Sequence, residues 1–413
     1  MTKKETMINF LKKYGFLCAS IFCFVFSVCA VWAKMPFQYL YFILMAVCSL
    51  FFDSNKIIVL GSFSLTFDQT FHIPHVLTPL AIGLLVRILK LLIVDKQKLT
   101  KEMIVPIVIL GYFIVIFFCA GYQGDFLSIF NSTLIVSIMV MLFYLRKELD
   151  FNFIVKGVLF SFLASILTSL LFFIIPNDVP LVHIDDEGIH RFMALMNHEV
   201  TLAIWVVVLL ACNITRYFKR NIGFVPFLFE DALLIVVGIA TKSKTFLILF
   251  VIMLCLYIVK VFINNKKSGF IQTAVVLVGV IVLCAIFNKK VIEIFTRFTA
   301  YCKGSDLLDV ISTGRLSIWR RSVKIWINDV RSILFGLGAS YVYPNWPHPH
   351  NSYLDFLLRY GVVGLIPLIV GLVYVFKKIS KKPVYKIENF IPLLVVLMMM
   401  FVENFHCGNA ILL

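Results

Sequence analysis

An all-α fold, a polytopic bundle of roughly 12 to 13 transmembrane helices, is predicted by three features of this chain. Hydrophobic residues make up 61% of its 413 positions and charged residues only 15%. Apolar runs of about 20 residues, the length a helix needs to cross a bilayer, recur from end to end. Lys and Arg fall in short clusters between those runs, as topology signals do. This composition argues against a set of soluble domains. The formal net charge of +16 reads as loop charge. No basic stripe marks a polar face, so nucleic acid is not expected as a partner. The ten Cys lie mostly inside apolar runs and form no C-x-x-C pair, so they read as small core residues rather than ligands. Cys302 and Cys407 are the two that could meet outside the bilayer.

Taken in order, residues 1–413 form one polytopic membrane domain. Lys3, Lys4, Lys12 and Lys13 precede the first apolar run, which has no small-residue cleavage site and leads directly into the second. It reads as an uncleaved first helix. Spans are expected near residues 14–33, 36–52, 57–71, 76–94, 103–122, 126–145, 154–175, 192–212, 223–240, 245–263, 271–287, 351–376 and 388–405. The run at 57–71 is the least apolar because it holds Gly61, Ser62, Ser64 and Thr66. Counting it as a crossing sends Lys96, Lys98 and Lys101, Arg146 and Lys147, Arg216, Lys219 and Arg220, Lys266 and Lys267, and Lys377, Lys378, Lys381 and Lys382 to the side of the N-terminus. That side is then cytoplasmic by the positive-inside rule. The same topology puts all eight His at or near the outer face, although they were not used to build it. Arg87 and Lys90 are expected to snorkel to the inner interface, where Glu230 and Asp231 are expected too.

The chain's chemistry concentrates in an outer-face loop, residues 288–350, which contains an amphipathic helix. Ser312 or Thr313 is its N-cap, and Leu316, Trp319, Val323, Trp326, Val330 and Ile333 recur at helical spacing. Arg320, Arg321, Lys324 and Arg331 fill the opposite face, which suits a surface of anionic headgroups. Arg315 sits in the first turn, where orphan N–H groups and the positive dipole end favour a phosphate or diphosphate. Beyond Gly336 and Gly338, the aromatic rings of Tyr341, Tyr343 and Trp346 can stack on sugar rings. The loop ends in His348-Pro349-His350-Asn351 at the mouth of the next span. A neutral imidazole there can take a proton from a hydroxyl, and Asn can orient it or the substrate; a structural cap on the following helix is the other reading of His350.

Two more segments carry polar groups. One is Asn177 to Arg191, with His183, Asp185-Asp186-Glu187 and His190, just before Asn197, His198 and Glu199. Three adjacent acids read more readily as a solvated loop than as a metal site, and no metal site is expected. The other is the tight turn Thr241-Lys242-Ser243-Lys244-Thr245, whose two cations face outward against the charge bias. An anionic substrate would account for them.

Gly314-Arg315, then Trp319, then Gly336 and Gly338, then His350-Asn351 with Gly361 and Gly364 beyond, is a pattern that resembles the O-antigen polymerase and ligase superfamily. The motif covers about 50 residues, and the hydrophobic layout resembles the family throughout. Arg191-Phe192 with Asn197 is similar to the family's Arg and Asn ahead of a mid-chain span. Lys242-Ser243-Lys244 stands where the family shows Ser-Arg. Lys244 keeps the charge of that Arg but loses its bidentate fork.

The resemblance implies a metal-independent, inverting glycosyltransferase with no cofactor, in the bacterial cytoplasmic (inner) membrane with its site on the outer face. Its substrate is then an undecaprenyl-diphosphate-linked oligosaccharide. Its other partners are the lipid bilayer and, for a polymerase, a chain-length regulator. His350 is the expected base. Arg315, Arg191 and Lys244 neutralise the departing diphosphate. Asn351, Trp319, His348 and Lys242 are further expected substrate contacts. The compact spacing from Arg315 to His350 and the run Asn351-Ser352-Tyr353-Leu354-Asp355-Phe356 resemble polymerases more than ligases. A flippase for the same lipid-linked sugar is the reading from another class, but transporters place ionisable groups near the midplane and show paired repeats. A structural membrane scaffold is a third class.

Overall fold

The computed structural model describes residues 3–33, 38–68, 77–99, 101–104, 107–108, 110–112, 115, 126–175, 178–184, 188–196, 198–264, 266–300, 315–338, 349–380, 388 and 390–402. Most of these are helical. In chain order the α-helices are α1 (Lys3–Ala33), α2 (Gln38–Phe51), α3 (Ser54–Thr66), α4 (Thr78–Ile93), α5 (Phe126–Leu145), α6 (Phe151–Phe172), α7 (Glu199–Phe218), α8 (Phe224–Ala240), α9 (Lys244–Asn264), α10 (Lys266–Ile286), α11 (Asn288–Ala300), α12 (Arg315–Trp326), α13 (Val330–Phe335), α14 (Ser352–Ser380) and α15 (Ile391–Val402). Between α6 and α7 lies one antiparallel hairpin of β1 (Val182–Ile184) and β2 (His190–Phe192), in which His183 pairs with Arg191. The all-α expectation is therefore corrected at this loop. Its strands also move the start of the span expected at 192–212 to Glu199.

Among the described residues, four helical segments are long and apolar enough to cross a membrane: Tyr14–Trp32, Phe151–Phe172, Glu199–Phe218 and Lys244–Ile263. A fifth arises if Phe270–Ile286 and Asn288–Ile294, bent by 89° at their junction, are one broken span. At 1.5 Å per residue, α9 is about 30 Å long, which matches the hydrocarbon core. Much of the expected run at 103–122 lies outside the described residues, as do Cys302 and Cys407.

The least apolar of the expected spans turns out to be a core helix. On α3, Ile57, Leu60, Phe63 and Leu65 are fully buried, and so are Ser62, Ser64 and Thr66. Its small polar residues meet α6. The Ser62 hydroxyl donates to Ser161 Oγ at 2.7 Å, and Ser165 Oγ donates to the Thr66 carbonyl at 2.6 Å. Gly157 lets the two backbones close: a Cβ there would stand 2.2 Å from Val59 Cγ2. Small residues at a helix contact and hydroxyls bridging it are how apolar helices associate where water is scarce. α7 is the second buried helix, enclosed by α8, α9 and α15 and filled by Trp205 and its neighbours. Arg216 near its C-terminus is completely buried and holds Asn152, Asn213 and Glu230 by hydrogen bonds of 3.0, 2.6 and 2.8 Å. Asn213 in turn donates to Asp231, so Glu230 and Asp231 both belong to the network around Arg216. Arg87 pairs with Glu148 at 3.3 Å, and Lys90 donates to the Leu50 carbonyl.

α14 is broken at Gly361, whose φ of 64° is open to glycine and costly for other residues. A break in a helix orphans carbonyls, here those of Leu358 and Arg359. The N–H of Leu337 donates to the first at 2.6 Å and that of Gly338 to the second at 3.1 Å. The strand-like clasp is tight on both sides. A Cβ on Gly336 would stand 2.4 Å from the Arg359 carbonyl carbon, and one on Gly361 would stand 2.3 Å from the Leu334 carbonyl oxygen. Gly361→Ala is therefore expected to lower stability by more than about 2 kcal/mol. Gly371→Ala, with nothing within 4 Å of its Cβ, should leave stability unchanged or raise it slightly. Denaturation curves in detergent compare the two, and equal midpoints would refute the clasp.

Candidate functional site

Two groups of polar side chains collect the residues singled out in the sequence. The first is built by the clasp. Because α13 and Gly336-Leu337-Gly338 are fastened to α14, α12 is carried against the N-terminal half of α14. There Trp319 and Trp326 pack with Leu337 on Leu354 and Leu358. The Trp319 indole N–H donates to the Pro349 carbonyl at 2.6 Å, and its ring meets Phe401 edge-on at 5.4 Å. Trp319, expected as a substrate contact, thus also braces α12 against the His350 segment. Arg315 opens α12 one turn before it.

The single amphipathic helix expected over 315–333 is two helices, divided at Ile327-Asn328-Asp329. Asp329 caps α13 through the Ser332 N–H at 2.9 Å. The Ser332 hydroxyl and N–H together hold the Asp329 carboxyl below the usual carboxylate range. Part of the apolar stripe, Trp319 and Trp326, packs on α14.

At the mouth of α14, Asn351 is the cap. It is 5% exposed, its side-chain oxygen accepts from the Leu354 N–H at 3.0 Å and its carbonyl accepts from the Asp355 N–H at 2.9 Å. The capping role weighed for His350 therefore falls to its neighbour. His350 itself is half-buried with φ at 46°. A non-glycine residue in the left-handed region stores strain of order 1–3 kcal/mol, which persists where the surroundings fix it. Here Pro349 is held by Trp319 on one side and Asn351 by α14 on the other. One turn further, Arg359 Nε bonds Asp355 Oδ2 at 2.9 Å. His348 and Gly314 lie outside the described residues, as do Tyr341, Tyr343 and Trp346.

The second group surrounds Glu199, the first residue of α7, whose side chain is 1% exposed. Arg191, from β2, forms an ion pair with its Oε1 and donates through Nε to the Thr241 carbonyl at 3.2 Å. One guanidinium thus joins the hairpin, the start of α7 and the turn between α8 and α9. In that turn Lys242, with φ at 51°, pairs with Glu293 of α11. Ser243 is buried, its carbonyl accepts from the Leu247 N–H, and Lys244 is the first residue of α9. On the other side of Glu199, His183 Nδ1 lies 3.0 Å and His198 Nδ1 3.5 Å from Oε2. Asn197 and the acids 185–187 fall outside the described residues. Sequence reasoning missed Glu199 as the hub because a single acid at a span boundary carries no periodic signal. Its position one residue after the His198 cap was the available clue.

The fold and these two groups define a helical protein with membrane-spanning segments and charged sites at helix ends. Residues 231–369 match the family model described as O-Antigen ligase, which supports placing that segment in the O-antigen polymerase and ligase superfamily. The match runs from α8 into α14. It includes Lys242, Lys244, Arg315, Trp319, His350, Asn351 and Gly361, and leaves Arg191 and Glu199 outside. No curated protein and no solved structure matches the chain.

Removing Arg191 would strand a buried carboxylate. Arg191→Ala is expected to cost about 3–5 kcal/mol, whereas the double variant Arg191→Ala, Glu199→Gln should recover part of that loss. A double-mutant cycle of unfolding free energies measures the coupling; strictly additive losses would contradict the joint.

Proposed function

We propose that the chain is an O-antigen or capsule-type polysaccharide polymerase, joining undecaprenyl-diphosphate-linked oligosaccharide repeat units at the outer face of the bacterial cytoplasmic membrane. The observation that carries the reading is the Trp319 to Pro349 hydrogen bond, which ties the helix opened by Arg315 to the segment bearing His350. In this reading the chain crosses the bilayer roughly 12 to 13 times, with the core helix α3 counted among the crossings, and residues 288–350 lie outside. The whole chain acts as one domain, with those residues as its catalytic loop.

His350 takes the proton of the acceptor sugar hydroxyl as that oxygen bonds the anomeric carbon of the donor. The bond from that carbon to the diphosphate breaks, and its electron pair leaves with the lipid diphosphate. Attack opposite the leaving group inverts the anomeric centre. Arg315, at a helix N-terminus, neutralises the departing charge without a metal at the diphosphate and without a cofactor. Lys242 and Lys244 add positive charge from the turn after α8. Arg191 has five N–H donors, so its bonds to Glu199 and Thr241 are compatible with a phosphate contact. Asn351 and Trp319 act by holding the His350 backbone; His348 is placed near the sugar. A chain-length regulator fits this activity as a protein partner.

The description of the matching family favours a second reading, an O-antigen ligase that transfers the finished glycan to lipid A-core. The two readings separate by size analysis of surface polysaccharide from a deletion strain. A single repeat unit on an intact acceptor is expected for the polymerase. A bare core with polymers accumulating on the lipid carrier would overturn it in favour of the ligase. Complementation with His350→Ala or Arg315→Ala, at normal protein levels, should restore chain assembly by less than about 1% of wild type. Restored long chains in His350→Ala would remove it as the base.

A further inference from the structure

We propose that His183, His198 and Glu199 form a binding site for a divalent metal ion of the zinc class. Each of the three side chains offers one ligand atom, and these atoms lie within 4.8 Å of one another. Two imidazoles and one carboxylate are the donor set that borderline metals prefer. This inference concerns a different group from the Arg315 and His350 loop and does not rest on the glycosyl-transfer reading.

The geometry is close to what an ion would require. Ligands about 2.1 Å from a tetrahedral ion stand about 3.4 Å from each other. Glu199 Oε2 is 3.0 Å from His183 Nδ1. His198 Nδ1 accepts from the Val200 N–H at 3.1 Å, which uses its single lone pair, so in this site His198 would ligate through Nε2.

The surroundings suit a metal site as well. Arg191 holds the opposite carboxylate oxygen, which fixes the orientation of Glu199 as an outer partner of a ligand does. His183 is fixed by the register of the hairpin, in which it pairs with Arg191, and His198 by its place at the cap of α7. The inner ligand is closed off while the two imidazole side chains are 45% and 53% exposed, so an ion has an entry path. Three protein ligands leave a fourth position for water or a substrate oxygen. A bound ion would clamp the hairpin to α7, and with it the Arg191 joint to the turn holding Lys242 and Lys244. The three acids at 185–187 caught the eye in the sequence, yet the ligands are the residues around them, brought together by a strand pairing that composition does not reveal.

The test uses the full chain in detergent with a tag free of His, stripped with a chelator and titrated with zinc chloride by calorimetry. One zinc per chain is expected, with the unfolding midpoint raised by the metal. His183→Ala removes one ligand, and His198→Asn removes the other imidazole while keeping a capping oxygen. In chelator His198→Asn should unfold near the wild-type temperature and His183→Ala somewhat lower, because it loses its contact with Glu199; both should bind zinc at least about tenfold more weakly and lose the metal-dependent stabilisation. Cobalt in place of zinc should give a visible absorption band in the wild type that both variants lose. Zinc bound with unchanged stoichiometry and affinity in the variants, or no zinc retained by the wild type, would overturn the site.

Discussion

The ion pair of Arg191 and Glu199 is the joint on which the middle of the molecule depends. Neither charge can be carried into an apolar interior alone, because the desolvation of each costs several kcal/mol that only close pairing offsets. The pair therefore does more than attract. It dictates that β2, the start of α7 and the turn after α8 occupy one place, since the guanidinium also spends its Nε–H on the Thr241 carbonyl. The rest follows from that placement. The turn carries Lys242 to Glu293 on α11, and α7 is positioned to run its largely buried course between α8, α9 and α15.

The same rule, that buried polar groups are satisfied from within, explains the other end of the chain. Breaking a helix would normally leave orphan carbonyls in a region with few donors. Gly361 breaks α14, and the N–H groups of Leu337 and Gly338 meet the carbonyls so released. What a motif reader sees as Gly-x-Gly followed by Gly-x-x-Gly is thus one backbone contact written in two places. Its effect on the candidate site is indirect: it fastens α13 to α14, which lets Trp319 of α12 reach Pro349. His350 is then held in a strained conformation between two anchored neighbours.

Helix existence was largely legible in the sequence, because long apolar runs with basic punctuation admit few alternatives. The hairpin at 182–192 was not, since three-residue strands carry almost no alternation. Nor was the fate of the run at 57–71. Its Ser, Thr and Gly residues weaken any hydropathy argument, yet those residues are what let α3 sit inside the bundle against α6. In the candidate site, Arg315, His350 and Asn351 stood out by type and spacing, but the division of labour did not. Periodicity cannot tell an indole that stacks on sugar from one that braces a loop, and Trp319 braces the loop. Glu199 was hidden for a different reason: its importance lies in partners far away in sequence.

This hidden acid also bears on how the two groups of polar residues relate. The family match covers the loop containing Arg315 and His350 and stops short of Arg191 and Glu199. Yet the matched segment begins at Asp231, in the helix whose final turn delivers the Thr241 carbonyl to Arg191. A change at Glu199 would therefore reach the matched segment through two bonds, Glu199 to Arg191 and Arg191 to Thr241, before it touched Lys242 or Lys244. Charge at the turn is in this sense set from outside the segment. Each cation on that path has its own carboxylate, Arg191 with Glu199 and Lys242 with Glu293, which offsets the repulsion among the positive charges gathered at the turn.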